Sequence, residues 1–151
     1  MRAIPIILAA VCISTVAACG GMTQSTAGST LMPQAVPAGT LAQIYYWHAK
    51  PGKLEEYSRY IRDLAEPIDH EAQRRGAFLS VTTYVAHDTA SAWTHMRVFI
   101  LRDSLQLKGL SGALDSAGIR LEPDSTKRRV RGAYSASLRD RVGAVTVELL
   151  R

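Results

Sequence analysis

Apolar side chains in this chain recur at two periods, and the order in which those periods alternate constrains the fold most tightly. Residues 41–48 are dense in aromatic and β-favouring residues and read as a strand. The turn Lys50-Pro51-Gly52-Lys53 follows. Beyond it Leu54, Tyr57, Ile61, Leu64 and Ile68 recur at steps of three and four, the helical period. Glu55, Glu56, Arg59, Arg62, Asp63 and Glu66 fill the other side of that helix. Pro67 is expected to kink it or restart it one turn later, and Gly76 to close it as the C′ residue. Residues 77–86 and 92–101 then alternate with period two around a short polar connection, which reads as a β-hairpin.

Asp103 or Ser104 is expected to cap a short helix to about residue 117, weakened by Gly109 and Gly112 and stopped by Gly118. Pro123-Asp124-Ser125 opens another helix with the stripe Val130, Tyr134 and Leu138. Residues 144–150 alternate loosely through Val145, Val147 and Leu149 and read as the last strand. The order strand, helix, strand, strand, helices, strand defines an α+β domain. Its antiparallel sheet carries helices on one face, in ferredoxin-like topology.

Side chains alternate across a strand. In the first strand Ala42 and Ile44 oppose Gln43, Tyr45 and Trp47. In the second, Leu79, Val81 and Val85 oppose Phe78, Ser80, Thr82 and Tyr84. In the third, Met96, Val98 and Ile100 oppose Trp93, His95, Arg97 and Phe99. The aliphatic face is expected to meet the helices. The aromatic and polar face, too apolar to stand in water, is expected to be covered by a second copy of the chain. Between the copies Tyr45, Trp47, Phe78, Tyr84, Trp93, Arg97 and Phe99 would line a ligand pocket. Arg97 would hold an anion through paired N–H donors, and His95 would serve as acid or base. An ion pair for Arg97, a hydrogen-bonded core position for His95 and a dimer core for the aromatics remain the structural alternatives.

The run Gln43-Ile44-Tyr45-Tyr46-Trp47-His48-Ala49-Lys50-Pro51-Gly52-Lys53, followed by Leu54-Glu55-Glu56-Tyr57, resembles the opening of dimeric α+β barrel proteins. That superfamily includes the NIPSNAP-like and antibiotic-biosynthesis-monooxygenase-like proteins. The resemblance covers residues 41–101 well, whereas 102–142 is long for the family's second helix. It implies a homodimer whose sheets pack face to face around a cavity. Haem-degrading members of the superfamily carry an Asn, Trp and His set. Trp93 and His95 match two of these, and the chain contains no asparagine.

Behind Met1-Arg2, an apolar run over residues 4–18 closes on Val16-Ala17-Ala18, the pattern of a secretory signal peptide. It is shorter than the roughly 20 residues that span a bilayer. Cys19 directly after these small residues resembles the lipobox of bacterial lipoproteins. The resemblance implies removal of residues 1–18, lipidation of Cys19 and attachment to a membrane in the cell envelope, facing the periplasm. Gly20 in place of an aspartate points to the outer membrane. Residues 19–39 are uncharged and rich in Gly, Ser, Thr and Pro, a tether with a reach of roughly 25 Å. The folded domain is expected over 40–151. Of two cysteines, Cys12 leaves with the signal and Cys19 takes the lipid, so no disulfide is expected.

The formal net charge is +5, with Lys127, Arg128, Arg129, Arg131, Arg139 and Arg141 late in the chain. This cluster reads as a solvated helix face or as a contact for anionic lipid. No aromatics interleave with it, so no nucleic-acid partner is expected. The four histidines share no ligand spacing, and neither metal nor cofactor is expected. Phosphate-loop and nucleophile-elbow patterns are absent. The functional expectation is a lipid-anchored envelope protein that binds a small apolar or aromatic anion. The alternatives are a cofactor-independent oxygenase or isomerase in the same cavity and a non-catalytic structural lipoprotein.

Overall fold

The computed structural model describes residues 39–86, 88 and 90–149. The expected signal peptide, Cys19 and most of the expected tether lie outside them. The chain forms β1 (Leu41–Ala49), α1 (Leu54–Tyr60), a π-helical turn (Ile61–Ala65), α2 (Glu66–Arg74), β2 (Ser80–Val85), β3 (His95–Leu101), α3 (Ser104–Leu121), α4 (Ser125–Leu138) and β4 (Arg139–Glu148). The four strands make one antiparallel sheet in the order β2-β3-β1-β4, with the helices on one face. This is the ferredoxin-like α+β fold expected from the element order.

Local chemistry sets most boundaries. Gly76, at φ 78°, ends α2 in a Schellman motif, with Gly76 N–H donating to the Gln73 carbonyl and Ala77 N–H to that of Ala72. Asp103 caps α3 by accepting from Leu105 and Gln106 N–H at 2.9 Å each. Asp124 caps α4 by accepting from Thr126 and Lys127 N–H. Gly118 does not stop α3, which runs on to Leu121. Instead it marks a close approach: a Cβ there would lie 3.4 Å from Nη2 of Arg131 and 3.9 Å from Cδ1 of Ile68. The last strand starts at Arg139, directly after α4, rather than near residue 144.

Two one-residue insertions interrupt the regular periods. In the π-helical turn Glu66 N–H reaches back to the Ile61 carbonyl, five residues away. Pro67 follows directly. It has no N–H to offer, and its ring would collide with the carbonyl four residues earlier in a regular α-turn. The extra residue turns the helix face by about 100°. Leu64 therefore points outward, 39% exposed, while Asp69 is turned inward at 3%. In the sheet, Tyr46 pairs with Gly143 but Trp47 pairs with Arg141, so Val142 has no opposite number on β1. This bulge reverses which side chains of β4 face the helices.

On β1 and β3 the faces lie opposite to the expectation. Along β3, His95, Arg97, Phe99 and Leu101 are buried, while Met96, Val98 and Ile100 are only half-buried. Pairing places Gln43, Tyr45 and Trp47 on the buried side with them. On β1 and β3 the aromatic and polar face thus meets the helices and the aliphatic face is open. On β2, by contrast, Val81 packs into the core as expected, and Ser80, Thr82 and Tyr84 stand exposed. The reason is that the helices present polar partners as well as apolar ones, with Ser58 from α1 and Asp69 from α2 meeting His95 and Arg97. One core cluster joins Ala72, Phe78, Phe99, Leu101, Leu110 and Ala117. A second joins Ala49, Tyr57, Ile61 and Leu138, with Trp47 packed against it.

Candidate functional site

Four of the expected pocket residues, Tyr45, Trp47, Arg97 and Phe99, line a single cavity of about 270 Å³. It lies on the helix side of the sheet within one subunit, not between two sheets. Leu114 of α3 and Arg139 and Arg141 of β4 complete the wall. Pairing explains the convergence. Tyr45 sits opposite Arg97 on β3, and Trp47 sits opposite Arg141 on the other side through the bulge.

Arg97 is 8% exposed and donates through Nη2 to Oδ2 of Asp69, which is buried beside it. Its guanidinium also lies 5.3 Å from the Phe99 ring centroid. Burial lowers its pKa from the ordinary value, but a guanidinium stays protonated throughout the physiological range. The Arg139 guanidinium stacks over Trp47 at 4.7 Å and over Tyr57 at 5.6 Å, and its Nε donates to Ser135 Oγ. Arg141 lies over Tyr45 at 5.7 Å. Cations and rings therefore interleave along the wall, each cation held near a negative ring face. Among the described residues two buried side-chain donors have no hydrogen-bond partner, Trp47 Nε1 and Arg97 Nε. Buried donors are almost always satisfied, and an unsatisfied one costs about 1–3 kcal/mol. Both belong to residues of this wall, so an acceptor bound in the cavity would relieve that cost.

The other expected residues lie elsewhere. Phe78 is 2% exposed and packs edge-on against Phe99, in the core beneath the cavity. Tyr84 is on the open face, opposite Met96 and 49% exposed. Trp93 stands ahead of β3 with its ring 6.0 Å from Tyr46, on the open side. Strict alternation groups Phe78 and Trp93 with the cavity only when extended past the ends of β2 and β3, which begin at Ser80 and His95. It groups Tyr84 there by matching its face of β2 with the wrong face of β3.

His95 is fully buried. Ala49 N–H donates to Thr94 Oγ1 at 2.7 Å, and Thr94 Oγ1 lies 2.9 Å from His95 Nδ1. His95 Nε2 lies 3.0 Å from Ser58 Oγ, which itself donates to the Leu54 carbonyl. With the Ser58 hydroxyl donating to Leu54, Nε2–H donates to Ser58 and Nδ1 accepts from Thr94. With the Thr94 hydroxyl donating to the Trp47 carbonyl at 3.4 Å, the proton sits on Nδ1 and Nε2 accepts from Ser58. Burial pushes the His95 pKa down to about 4. The ring is neutral at neutral pH and both nitrogens are occupied. The expected acid–base role is corrected to that of a hydrogen-bonded core histidine, beside a smaller cavity of about 190 Å³.

Sequence reasoning missed Arg139, Arg141 and Asp69. It placed the two arginines in a solvated basic cluster because β4 was expected to start later, and Asp69 was hidden by the π-helical turn. An Arg-x-Arg pair immediately after a helix stripe is the one signal that could have marked them. Among the described residues no three His, Cys, Asp or Glu side chains form a metal cluster, and no helix is long and apolar enough to cross a membrane.

No family model matches the chain, and no curated protein matches it. Among solved structures it is similar to HapK from Hahella chejuensis at 12% identity, covering 73% of this chain and 92% of that one, with a TM-score of 0.48. It is also similar to a dimeric protein of unknown function and ferredoxin-like fold from Bacteroides fragilis. That match has 12% identity, covers 74% of this chain and 97% of the other, and has a TM-score of 0.47.

Proposed function

We propose that this protein is a lipid-anchored binding protein of the bacterial envelope that holds a small aromatic anion in the cavity between its sheet and its helices. One observation carries the reading. Two donors, Trp47 Nε1 and Arg97 Nε, are buried without partners on residues of a wall that carries three arginines, of which, among the described residues, only Arg97 is paired with a carboxylate, that of Asp69. A planar ring would fill the apolar part of the cavity beside Phe99 and Leu114, and its anionic group would take the free donors. Isothermal titration of the purified protein with naphthalene-2-carboxylate should give saturable binding that naphthalene-2-carboxamide does not match. Equal binding of the neutral amide would defeat the anion reading.

The anchor rests on Val16-Ala17-Ala18-Cys19. In a bacterial host, Cys19→Ser should abolish labelling by palmitate and move the protein from the membrane to the soluble fraction. Labelling that persists in the variant would exclude Cys19 as the lipid site. A homodimer is supported by the open sheet face, where Ile44, Tyr46, Met96, Val98 and Ile100 stand with no helix over them. An apolar surface of that extent calls for a cover, and a second copy of the same face supplies one.

A further inference from the structure

The charges around the cavity do not balance. Asp69 is paired with Arg97, and among the described residues neither Arg139 nor Arg141 has a carboxylate within ion-pair distance. Asp140, which lies between them in sequence, is turned to Lys50. The nearby Tyr57 hydroxyl, its pKa pushed up to about 12 by burial, stays neutral and adds no negative charge. Two positive charges therefore remain uncompensated on one wall.

They are also kept apart. Arg139 and Arg141 are two residues apart on β4, so their Cα atoms are about 7 Å from one another. Each guanidinium is held over a different ring, Arg139 over Trp47 and Arg141 over Tyr45. The two rings are themselves 5.5 Å apart between centroids. A ligand with one anionic group offers a single charge to the pair. A ligand with an anionic group at each end of a flat ring offers one charge to each cation, in a wall that also carries the two residues with unpartnered donors.

We propose that the ligand is an aromatic dianion whose charges are set apart across the ring, one for each of Arg139 and Arg141. This rests on the reading of the same cavity as the binding site. Isothermal titration at pH 7.5 with benzamide, benzoate, terephthalate and phenyl phosphate separates the possibilities. Terephthalate should bind at least about tenfold tighter than benzoate, the gain expected from one more charge-assisted contact. Arg141→Gln changes an exposed side chain outside the core, and it should erase that advantage, bringing terephthalate down to the affinity of benzoate for the same variant. Equal affinity for benzoate and terephthalate would overturn the proposal and leave the anion reading standing. Phenyl phosphate binding tighter than terephthalate would overturn the separation of charges. If no probe binds, or if benzamide binds as well as any, the cavity itself has been misread.

Discussion

His95 enters the folded state neutral. Its pKa falls from the ordinary 6.5 to about 4 because burial penalises the imidazolium. Above pH 6.5 both folded and unfolded forms are neutral there, and stability does not depend on the group. As pH falls from 6.5 towards 4, the unfolded chain takes up a proton that the native chain refuses, so stability declines. Below about 4 the native ring also protonates and the decline levels off. The full loss is on the order of 3 kcal/mol. Urea unfolding at pH 7 and pH 4.5 should show it, and His95→Gln should flatten the slope across that interval. A variant with the parent's pH slope would place the titration elsewhere. Glu71 acts lower on the scale. Arg75, Arg74 and Arg120 hold its carboxyl at about 2, so what stability it confers is present above its usual range and is lost on further acidification. Of these residues, the sequence showed only that His95 and Arg97 share a strand face. It could not show that Ser58 and Asp69 would meet them, because partners 37 and 28 positions away are a tertiary property.

Among the elements, the two insertions matter most to the site. The π-helical turn re-aims Asp69 towards Arg97, and the bulge in β4 re-aims Arg139 and Arg141 towards Trp47 and Tyr45. Neither leaves a mark in the hydrophobic periods, since one extra residue shifts a phase without changing composition. The helical stripe through Tyr57 and Ile61 was readable; past Ala65 its phase was not. The glycines of α3 are a separate matter. The helix runs 18 residues despite Gly109 and Gly112, held by the Asp103 cap and by burial of Leu110 and Ala117. Among the described residues, and apart from the chain neighbours and the helix's own backbone, no atom stands within 4 Å of a Cβ built on either glycine. Gly109→Ala and Gly112→Ala should therefore each stabilise the fold by roughly 0.5–1 kcal/mol, through the lower entropy cost of an alanine in a helix. Thermal unfolding measures this, and a fall in melting temperature would mean that a partner needs those positions bare.

At the scale of the whole molecule the open face decides the assembly. Reading its two sides by polarity assigned the richer, more aromatic one to a partner subunit, and the fold turned that side inward. The case for a second copy survives because the aliphatic side left outside is itself too apolar for water, with Val145 and Val147 extending it at 41% and 43% exposure. Wild-type protein should sediment at twice the chain mass, and Val98→Glu should sediment as a monomer with its helix-side cavity intact. A wild type that stays monomeric at tens of micromolar would remove the dimer from the account.

The order and type of elements, the ferredoxin-like topology and the Schellman end at Gly76 follow from the sequence. They depend on local periods and on residues that act within a few positions of themselves. The direction in which each sheet face points, the Asp69–Arg97 pair and the turning of Arg139 and Arg141 into the cavity were decided only by the tertiary structure. Each depends on a one-residue change of phase, or on a partner far away in the chain, and neighbouring residues carry no record of either.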